Sequence, residues 1–585
     1  MADPSSSLAT RISSMNPFSK SRPREDEEDL GEETDFAGVA EGAYGTRRTE
    51  IKKSRLRISN ALKSLLANEG VLSSEDAASD SNEPSNALRA LLNKPHAKVP
   101  AYVSDRSHPL PEYFISSSHN TYLIAHQLYG SSSATAYETA LTAGSRCVEI
   151  DAWDNDNNPE EPKVTHGYTM VSNIPFRSVC ETIRDVVDKE ASRSMNEQGY
   201  RAAPIFLSLE NHCSVNGQLR LVQIMNEVWG NRLLTEAIRQ KGHDEQEGGS
   251  HVTLDELGSK IVVIVEYHFP NEADNISSDS DSSESEEEEE KEARHAYKKK
   301  KNATPPTIII PELAAMGVYA QSVKPNDNSW FEDVLRNAPH HHLINVSEVG
   351  LGAHMPTYNM AIARHNARHL MRVFPKGSRI SSRNLHPVPF WGLGAQICAL
   401  NWQTFGASMQ INEAMFSGTD GFVLKPAALR AGGNGELSTG RRMKLRLRVA
   451  GASDVPVPEG RDEGDIRPYL TCSLIHPTDL KGDPPKRKTG QYRQHKLGFV
   501  HRGENPPVTD PIWNETLDWE YDDNELVFLR LLIKSDDKFA SNPKLAAAAV
   551  RLLYVTPGWS FIPMLDLKGR QTNCSLLVLF EFEHL

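Results

Sequence analysis

Four short segments set histidines, carboxylates and carboxamides at or just beyond the end of apolar runs: SSSHNTYL (116–123), VEIDAWD (148–154), THGYT (165–169) and LSLENHC (207–213). Glu149 and Asp151 are two residues apart, a spacing that on a strand turns both carboxylates to one face. Like charges held so close repel, and a cation relieves the repulsion. Asn120 and Glu210 add oxygen ligands of the hard type that calcium prefers. The residues alone leave a metal site and neutralisation by salt bridges equally open. His119 and His166 stand near these acids in the order of segments, and imidazole moves protons at neutral pH. Singly, each is more often a structural histidine. With the acids they suit phosphodiester cleavage, in which a cation and one histidine stabilise the phosphorane charge and the second histidine protonates the leaving group.

Such segments need a scaffold that gathers strand ends. From about Pro111, short β-rich runs alternate with helical stretches, the rhythm of parallel βα units. The runs are YFISSSH (113–119), RCVEIDAW (146–153), PIFLSLE (204–210), KIVVIVEY (260–267), HLINVSE (342–348), QICALNW (396–402) and GFVLKP (421–426). AIARHNARHLMRVF (361–374) reads as a helix that stops before Pro375. In a parallel barrel the C-terminal strand ends carry the catalytic loops, and the four polar segments fall there. A run of serines and acids followed by four lysines, within 275–301, interrupts the alternation, so the barrel is expected to be split by an insert. After about Gly440, alternating strands with Pro- and Gly-rich turns predict an all-β sandwich. Upstream, IKKSRLRISNALKSLLA places Ile51, Leu56, Ile58, Leu62 and Leu65 near one helical stripe. A helix packed on a neighbouring domain is expected there in preference to one lying on a membrane.

At 585 residues the chain is too long for one core, and two or three large domains are expected. Of the formal net charge of −14, residues 272 to 292 carry −10 and residues 1 to 50 carry −5. The remainder is close to neutral and able to approach an anionic surface. No nucleic-acid partner is expected. Cys147, Cys180, Cys213, Cys398, Cys472 and Cys574 form no close pair, which argues against a disulfide framework or thiolate metal site and for a reducing compartment. The N-terminus lacks the apolar core of a secretory signal, and no stretch approaches the ~20 apolar residues of a membrane span. A cytoplasmic monomer, peripheral at membranes, is the expectation. No pleckstrin-like segment and no D-x-D-x-D-G loop of an EF-hand is found before Pro100.

Taken together, SSSHNTYL, EIDAWD, HGYT, LSLENHC, WGLGAQICALNWQT and FVLKPAALR resemble the X and Y halves of eukaryotic phosphoinositide-specific phospholipase C, in family order. The sandwich resembles the C2 domain that follows them. The resemblance implies a split, distorted (β/α)8 TIM-type barrel followed by an all-β C2-type sandwich. With a tail of disordered composition at 1–50, the chain divides into a helical N-terminal segment (51–107), the X half (108–270), an acidic disordered linker (271–303), the Y half (304–430) and the sandwich (440–585).

The same resemblance implies calcium-dependent cleavage of phosphoinositides at a membrane surface to diacylglycerol and inositol phosphates, through attack of the 2-hydroxyl and a cyclic phosphate. Carried over residue by residue, the calcium ligands are Asn120, Glu149, Asp151 and Glu210, with Glu149 also a candidate base. His119 would stabilise the pentavalent phosphorus and His166 would protonate the departing diacylglycerol oxygen. Ser347 and Arg372 match positions that bind ring phosphate, and Phe374 stands where the family has a tyrosine against the inositol face. The family's fifth strand presents two lysines to the ring phosphates, whereas KIVVIVEY has Ile264 and Glu266 there. A preference shifted toward less phosphorylated rings is the expectation. That departure keeps a second reading open, a catalytically impaired lipid-binding or scaffold protein that retains the barrel. The split barrel and appended sandwich argue against a third, a glycerophosphodiester phosphodiesterase. The acidic linker is expected to cover the mouth of the active site, and no regulatory protein partner is assigned.

Other polar groups suit blander roles. His340, His341, His342, His365 and His369 lack a third ligand and are expected on the surface or in the core. Asp465, Asp536 and Asp537, and the basic run PPKRKTGQYRQHK (484–496), suit calcium or anionic lipid no better than solvated loops.

Overall fold

The computed structural model describes residues 56–79, 84–124, 132–167, 172–239, 251–267, 308–323, 331, 341–376, 383–495, 505–536 and 544–585. The tail at 1–50, Ile51, His340, Asp537 and the acidic linker at 271–303 lie outside them. Eight parallel strands close into a ring in chain order: β1 (Tyr113–His119), β2 (Cys147–Trp153), β3 (Ile205–His212), β4 (Ile261–Tyr267), β5 (Gln321–Val323), β6 (His342–Ser347), β7 (Leu370–Phe374) and β8 (Ile397–Asn401). β8 pairs back to β1, and β1 pairs to β2 at Ser117 and Cys147, which closes the TIM-type barrel.

Strand alternation decides which side chains enter the ring. Val148, Ile150 and Ala152 of β2 pack outward against Val179, Cys180 and Ile183 of the helix Phe176–Asn196, which leaves Glu149 and Asp151 turned inward. Deeper in the ring, Ile115, Phe206, Ile264, Leu343, Leu370 and Ile397 form an apolar floor. Two or four residues further along the same strands stand Ser117 and His119, Ser208 and Glu210, Asn345 and Ser347, Arg372 and Phe374, and Asn401. The inner face therefore changes from apolar to polar toward the C-terminal strand ends, where a TIM barrel keeps its site.

Two element readings are corrected. The segment 361–374 is not one helix: the helix Asn359–Asn366 ends, and LMRVF is strand β7. Leu370, Met371, Arg372 and Val373 are all buried because a barrel strand is covered on both faces, so the run shows no alternation of apolar and polar residues to read as a strand. GFVLKP contributes no barrel strand, since Phe422–Leu424 runs antiparallel to β1 and caps its start at Tyr113. Strand β5 is three residues long and left no sequence signature. β4, fifth by the family's count, is fourth in this ring.

The C-terminal body is antiparallel throughout. Its strands are β9 (Arg442–Ser453), β10 (Pro468–Ile475), β11 (Lys486–Lys488), β12 (Ile512–Asp522), β13 (Phe528–Ser535), β14 (Lys544–Arg551), β15 (Gly558–Leu565) and β16 (Gln571–His584). They follow the order β11-β10-β13-β14-β15-β16-β9-β12 around a core that includes Leu447, Leu470, Leu531 and Val578. The second barrel half shares an apolar cluster with this sandwich: the Trp391 and Phe528 rings lie 6.0 Å apart, and Arg530 Nε donates to Gln410 Oε1 at 2.7 Å.

The N-terminal stripe packs on the sandwich. Leu56 and Ile58 precede the helix Asn60–Asn68, which starts at Ser59, whose hydroxyl accepts from the Leu62 N–H. Leu62 and Leu66 then meet Ala450, Phe561 and Leu577. Arg57 ties the segment down through Asp454 (2.6 Å) and Asp510 (2.5 Å). Leu62 is fully buried, so Leu62→Ala is expected to lower unfolding stability by about 2–5 kcal/mol. Chemical denaturation with unchanged stability would contradict this docking.

Candidate active site

At the C-terminal mouth of the barrel, ligand atoms of Glu149, Asp151 and Glu210 all lie within 4.8 Å of one another. Parallel pairing of β2 with β3 produces this, because Asp151 and Glu210 are register partners and Glu149 sits one strand period below. Asn120 completes the group from β1. Its φ of 44° lies in the left-handed region, which asparagine tolerates better than most residues, and the turn aims its N–H at Glu149 Oε2 (2.7 Å). The Tyr122 hydroxyl lies 2.6 Å from Asp151 Oδ2 and 3.2 Å from Asn120 Oδ1, joining these two groups.

The charge is only partly answered by protein. Arg372, fully inside the ring, donates from Nη2 to Glu149 Oε1 (2.7 Å) and from Nη1 to Asn345 Oδ1 (3.2 Å). Asp151 Oδ1 is buried with no hydrogen-bond partner. Burial, then the Glu210 and Glu149 charges, push the Asp151 carboxyl well above the usual aspartate range. An orphaned carboxylate oxygen among three acids and a carboxamide is a donor set of oxygen only, which fits a hard divalent cation and not a soft one. The residues present therefore suit calcium.

His119 borders this group, and His166 follows the segment that pairs with β2. His119 ends β1 with Nε2 3.9 Å from Glu149 Oε2. His166 follows Thr165, whose N–H donates to the Asp151 carbonyl (3.3 Å), so the returning segment Lys163–Val164 leads it back beside β2. Gly167 is required next to it: a Cβ there would fall 1.8 Å from the Trp153 indole. That indole stacks on His212 at 4.1 Å, and His212 Nε2 lies 3.0 Å from Glu210 Oε1. Asp154 accepts from the Ser214 N–H (2.8 Å) and holds the end of β3 against the end of β2.

The remaining candidates line β6 and β7, where Ser347 and Phe374 are register partners. Ser347 accepts from the Gly350 N–H (3.1 Å) and caps the short helix Glu348–Gly352. The Arg372 guanidinium lies 5.8 Å from the Phe374 ring centroid. Sequence reasoning missed Tyr122, Asn345, Asn401 and Gln403; Tyr122 lay inside the quoted SSSHNTYL, whereas Asn345 and Asn401 gain their partners Arg372 and His119 only when β6 pairs with β7 and β8 with β1. His365 and His369 stack at 5.0 Å in the core, and burial pushes His365 down to about 4. Asp465 lies in a capping turn with Asp462, and among the described residues the barrel group is the one acidic cluster with metal-ligand geometry. All six thiols are buried.

With its folded value raised, Asp151 contributes stability that is fully present below its ordinary value of 3.8 and is lost as pH rises through the raised one. In chelator at neutral pH, Asp151→Asn should therefore melt higher than the parent, with the gap closing toward acid pH. Calcium should raise the melting temperature of the parent more than that of the variant. A variant that melts lower than the parent in chelator at every pH would contradict the repulsion described.

Comparison with known proteins bears on this geometry. The X domain of phosphatidylinositol-specific phospholipase C matches residues 106–267, and its Y domain matches residues 313–428. The chain is 30% identical over 498 residues to 1-phosphatidylinositol 4,5-bisphosphate phosphodiesterase delta-4 of Xenopus laevis, covering 82% of this chain and 60% of the relative. The delta-3 enzyme of Homo sapiens is 31% identical, with 84% of this chain and 58% of the relative covered. The chain thus spans about three fifths of the length of these relatives. Among solved structures, L. pealei PLC21 superposes with a TM-score of 0.67 at 22% identity, over 96% of this chain and 66% of that one, which shows a common fold. Both catalytic halves are present in order on a closed barrel, and the chain belongs to the phosphatidylinositol-specific phospholipase C family.

Proposed function

We propose that the protein is a calcium-dependent phosphodiesterase that cleaves phosphoinositides to diacylglycerol and inositol phosphates. The observation that carries the reading is the convergence of Glu149, Asp151 and Glu210 at the barrel mouth, with an orphaned Asp151 oxygen and His119 beside them. Asn120, Glu149, Asp151 and Glu210 hold the cation, which when bound lowers the cost of charge on the attacking 2-hydroxyl and the phosphate. Glu149 takes the hydroxyl proton. His119 stabilises the phosphorane, and His166 gives a proton to the diacylglycerol oxygen. Ser347, Arg372 and Phe374 receive the inositol ring, Arg372 by its planar fork and Phe374 by its face. The sandwich acts as a C2-type module that holds the barrel at a phosphoinositide-containing membrane. No helix among the described residues is long and apolar enough to cross one.

The test is release of inositol phosphate from vesicles of each phosphoinositide, with calcium and with chelator. Turnover should require calcium, and His119→Ala and His166→Ala should each cost at least ~100-fold. Full turnover in chelator, or in both variants, would refute the mechanism. No turnover on any phosphoinositide would favour the second reading, a lipid-binding scaffold, to which buried Ile264 on the ring's inner face lends support.

The curated relatives are named for the 4,5-bisphosphate. Ile264 belongs to the apolar floor in register with Ser208, so no cation rises from that position. Weaker discrimination in favour of the bisphosphate is therefore expected. Ile264→Lys with Glu266→Lys should raise the ratio of bisphosphate to unphosphorylated turnover by about ten- to a hundredfold if both contacts form. An unchanged ratio would show that other residues read the ring. The insert acts as a restraint through its charge: deleting residues 272 to 301 should speed turnover on anionic vesicles and leave a soluble substrate unaffected. Equal rates on vesicles would make it a passive linker.

A further inference from the structure

The turn carrying His119 and Asn120 belongs to the first half of the barrel, yet three consecutive residues of the second half hold it. Trp402 Nε1 donates to the Ser117 carbonyl (3.0 Å), Asn401 Oδ1 lies 2.8 Å from His119 Nδ1, and Gln403 Nε2 donates to the Asn120 carbonyl (3.1 Å). The pairing of β1 with β8 sets this contact, since His119 and Asn401 are register partners. The Asn401 carboxamide is oriented from its far end, where Nδ2 donates to the Arg383 carbonyl (3.2 Å). Its backbone is bracketed by Asn384, whose Oδ1 accepts from the Asn401 N–H (2.6 Å) and whose Nδ2 donates to the Asn401 carbonyl (2.9 Å). The atom that Asn401 turns to the imidazole is thus an oxygen, which only accepts. His119 Nδ1 must carry a proton to bond it, and in the neutral ring that leaves Nε2 bare. Nε2 is the nitrogen on the side of the acids, 3.9 Å from Glu149 Oε2.

We propose that Asn401 is the positioning residue that fixes His119 as the Nδ1–H tautomer and makes Nε2 its working nitrogen. The consequence for rate rests on the phosphodiesterase reading; the tautomer does not. Neutral, Nε2 accepts a hydrogen bond from a substrate hydroxyl. Protonated, it donates to a phosphoryl oxygen. In both states the bond to Asn401 keeps the ring plane aimed at the mouth. Imidazole left to itself in water favours the proton on Nε2, so loss of the acceptor should let the ring retautomerise or turn.

The test is nitrogen NMR of the full chain carrying 15N-labelled histidine, with the His119 signals assigned by their loss in His119→Gln. Neutral His119 should show a protonated Nδ1 and a bare Nε2 in the parent and in Asn401→Asp, which keeps an acceptor oxygen. In Asn401→Leu it should shift to Nε2–H or to a mixture. On phosphoinositide vesicles Asn401→Leu should lose about 10–100-fold in kcat with KM little changed, the scale of removing a supporting partner, and Asn401→Asp should recover part of it. A parent whose neutral His119 holds its proton on Nε2 overturns the proposal, whether or not any variant folds. So does an unchanged tautomer in a folded Asn401→Leu, or a loss confined to KM. If the tautomer is as stated and no phosphoinositide is cleaved, the positioning role stands and the proposed function fails.

Discussion

Three carboxylates meet at one end of a barrel whose floor is apolar, and the groups around them answer part of that repulsion. Glu149 is matched by Arg372 and by the Asn120 N–H, and Asp151 by the Tyr122 hydroxyl on one oxygen only. The second Asp151 oxygen has no protein partner, and its carboxyl is pushed toward the neutral form. Leaving a buried charge half-compensated costs stability, and such deficits concentrate where a ligand completes the site. A divalent cation is the completion that an oxygen-only set accepts.

The barrel distributes the parts of this site over strands far apart in sequence. β2 and β3 bring Asp151 and Glu210 side by side through their register, β7 sends Arg372 across the ring to Glu149, and β8 braces the end of β1. Neither half of the barrel is a site by itself: the first holds the acids and histidines, and the second holds the arginine and carboxamides that orient them. The acidic insert interrupts the chain between β4 and β5, so the two halves meet through strand pairing and packing. The shared apolar cluster around Trp391 and Phe528 then fixes the sandwich against the second half, which gives the mouth a constant orientation to any surface the sandwich meets.

Much of this was legible in the chain. The spacing of Glu149 and Asp151, the polar residues at the ends of apolar runs and the change of texture after Gly440 are local patterns with a direct physical meaning. The packing of Leu56, Ile58 and Leu62 on a neighbouring domain also reads correctly, although Leu56 and Ile58 precede the helix Asn60–Asn68 and do not share its stripe. What escaped depends on contacts between distant residues. Arg372 stood out as a candidate phosphate ligand, but its bond to Glu149 was not legible, because that pairing exists only once β2 and β7 face each other across the ring. Asn401 carries no sequence mark beyond its place in ALNWQT, and its meaning comes from β8 lying beside β1. The strand LMRVF merged with the helix before it, because a strand buried on both faces loses the alternation that would distinguish it.

The most direct measurement is anomalous diffraction from crystals of the full chain soaked in calcium and collected at a wavelength where the ion scatters. The account predicts a single strong peak at the barrel mouth, within ligand distance of the Asp151 oxygen left without a protein partner and of Glu210 and Asn120. A fully occupied calcium elsewhere with none at the mouth, at concentrations that saturate binding in solution, would contradict it.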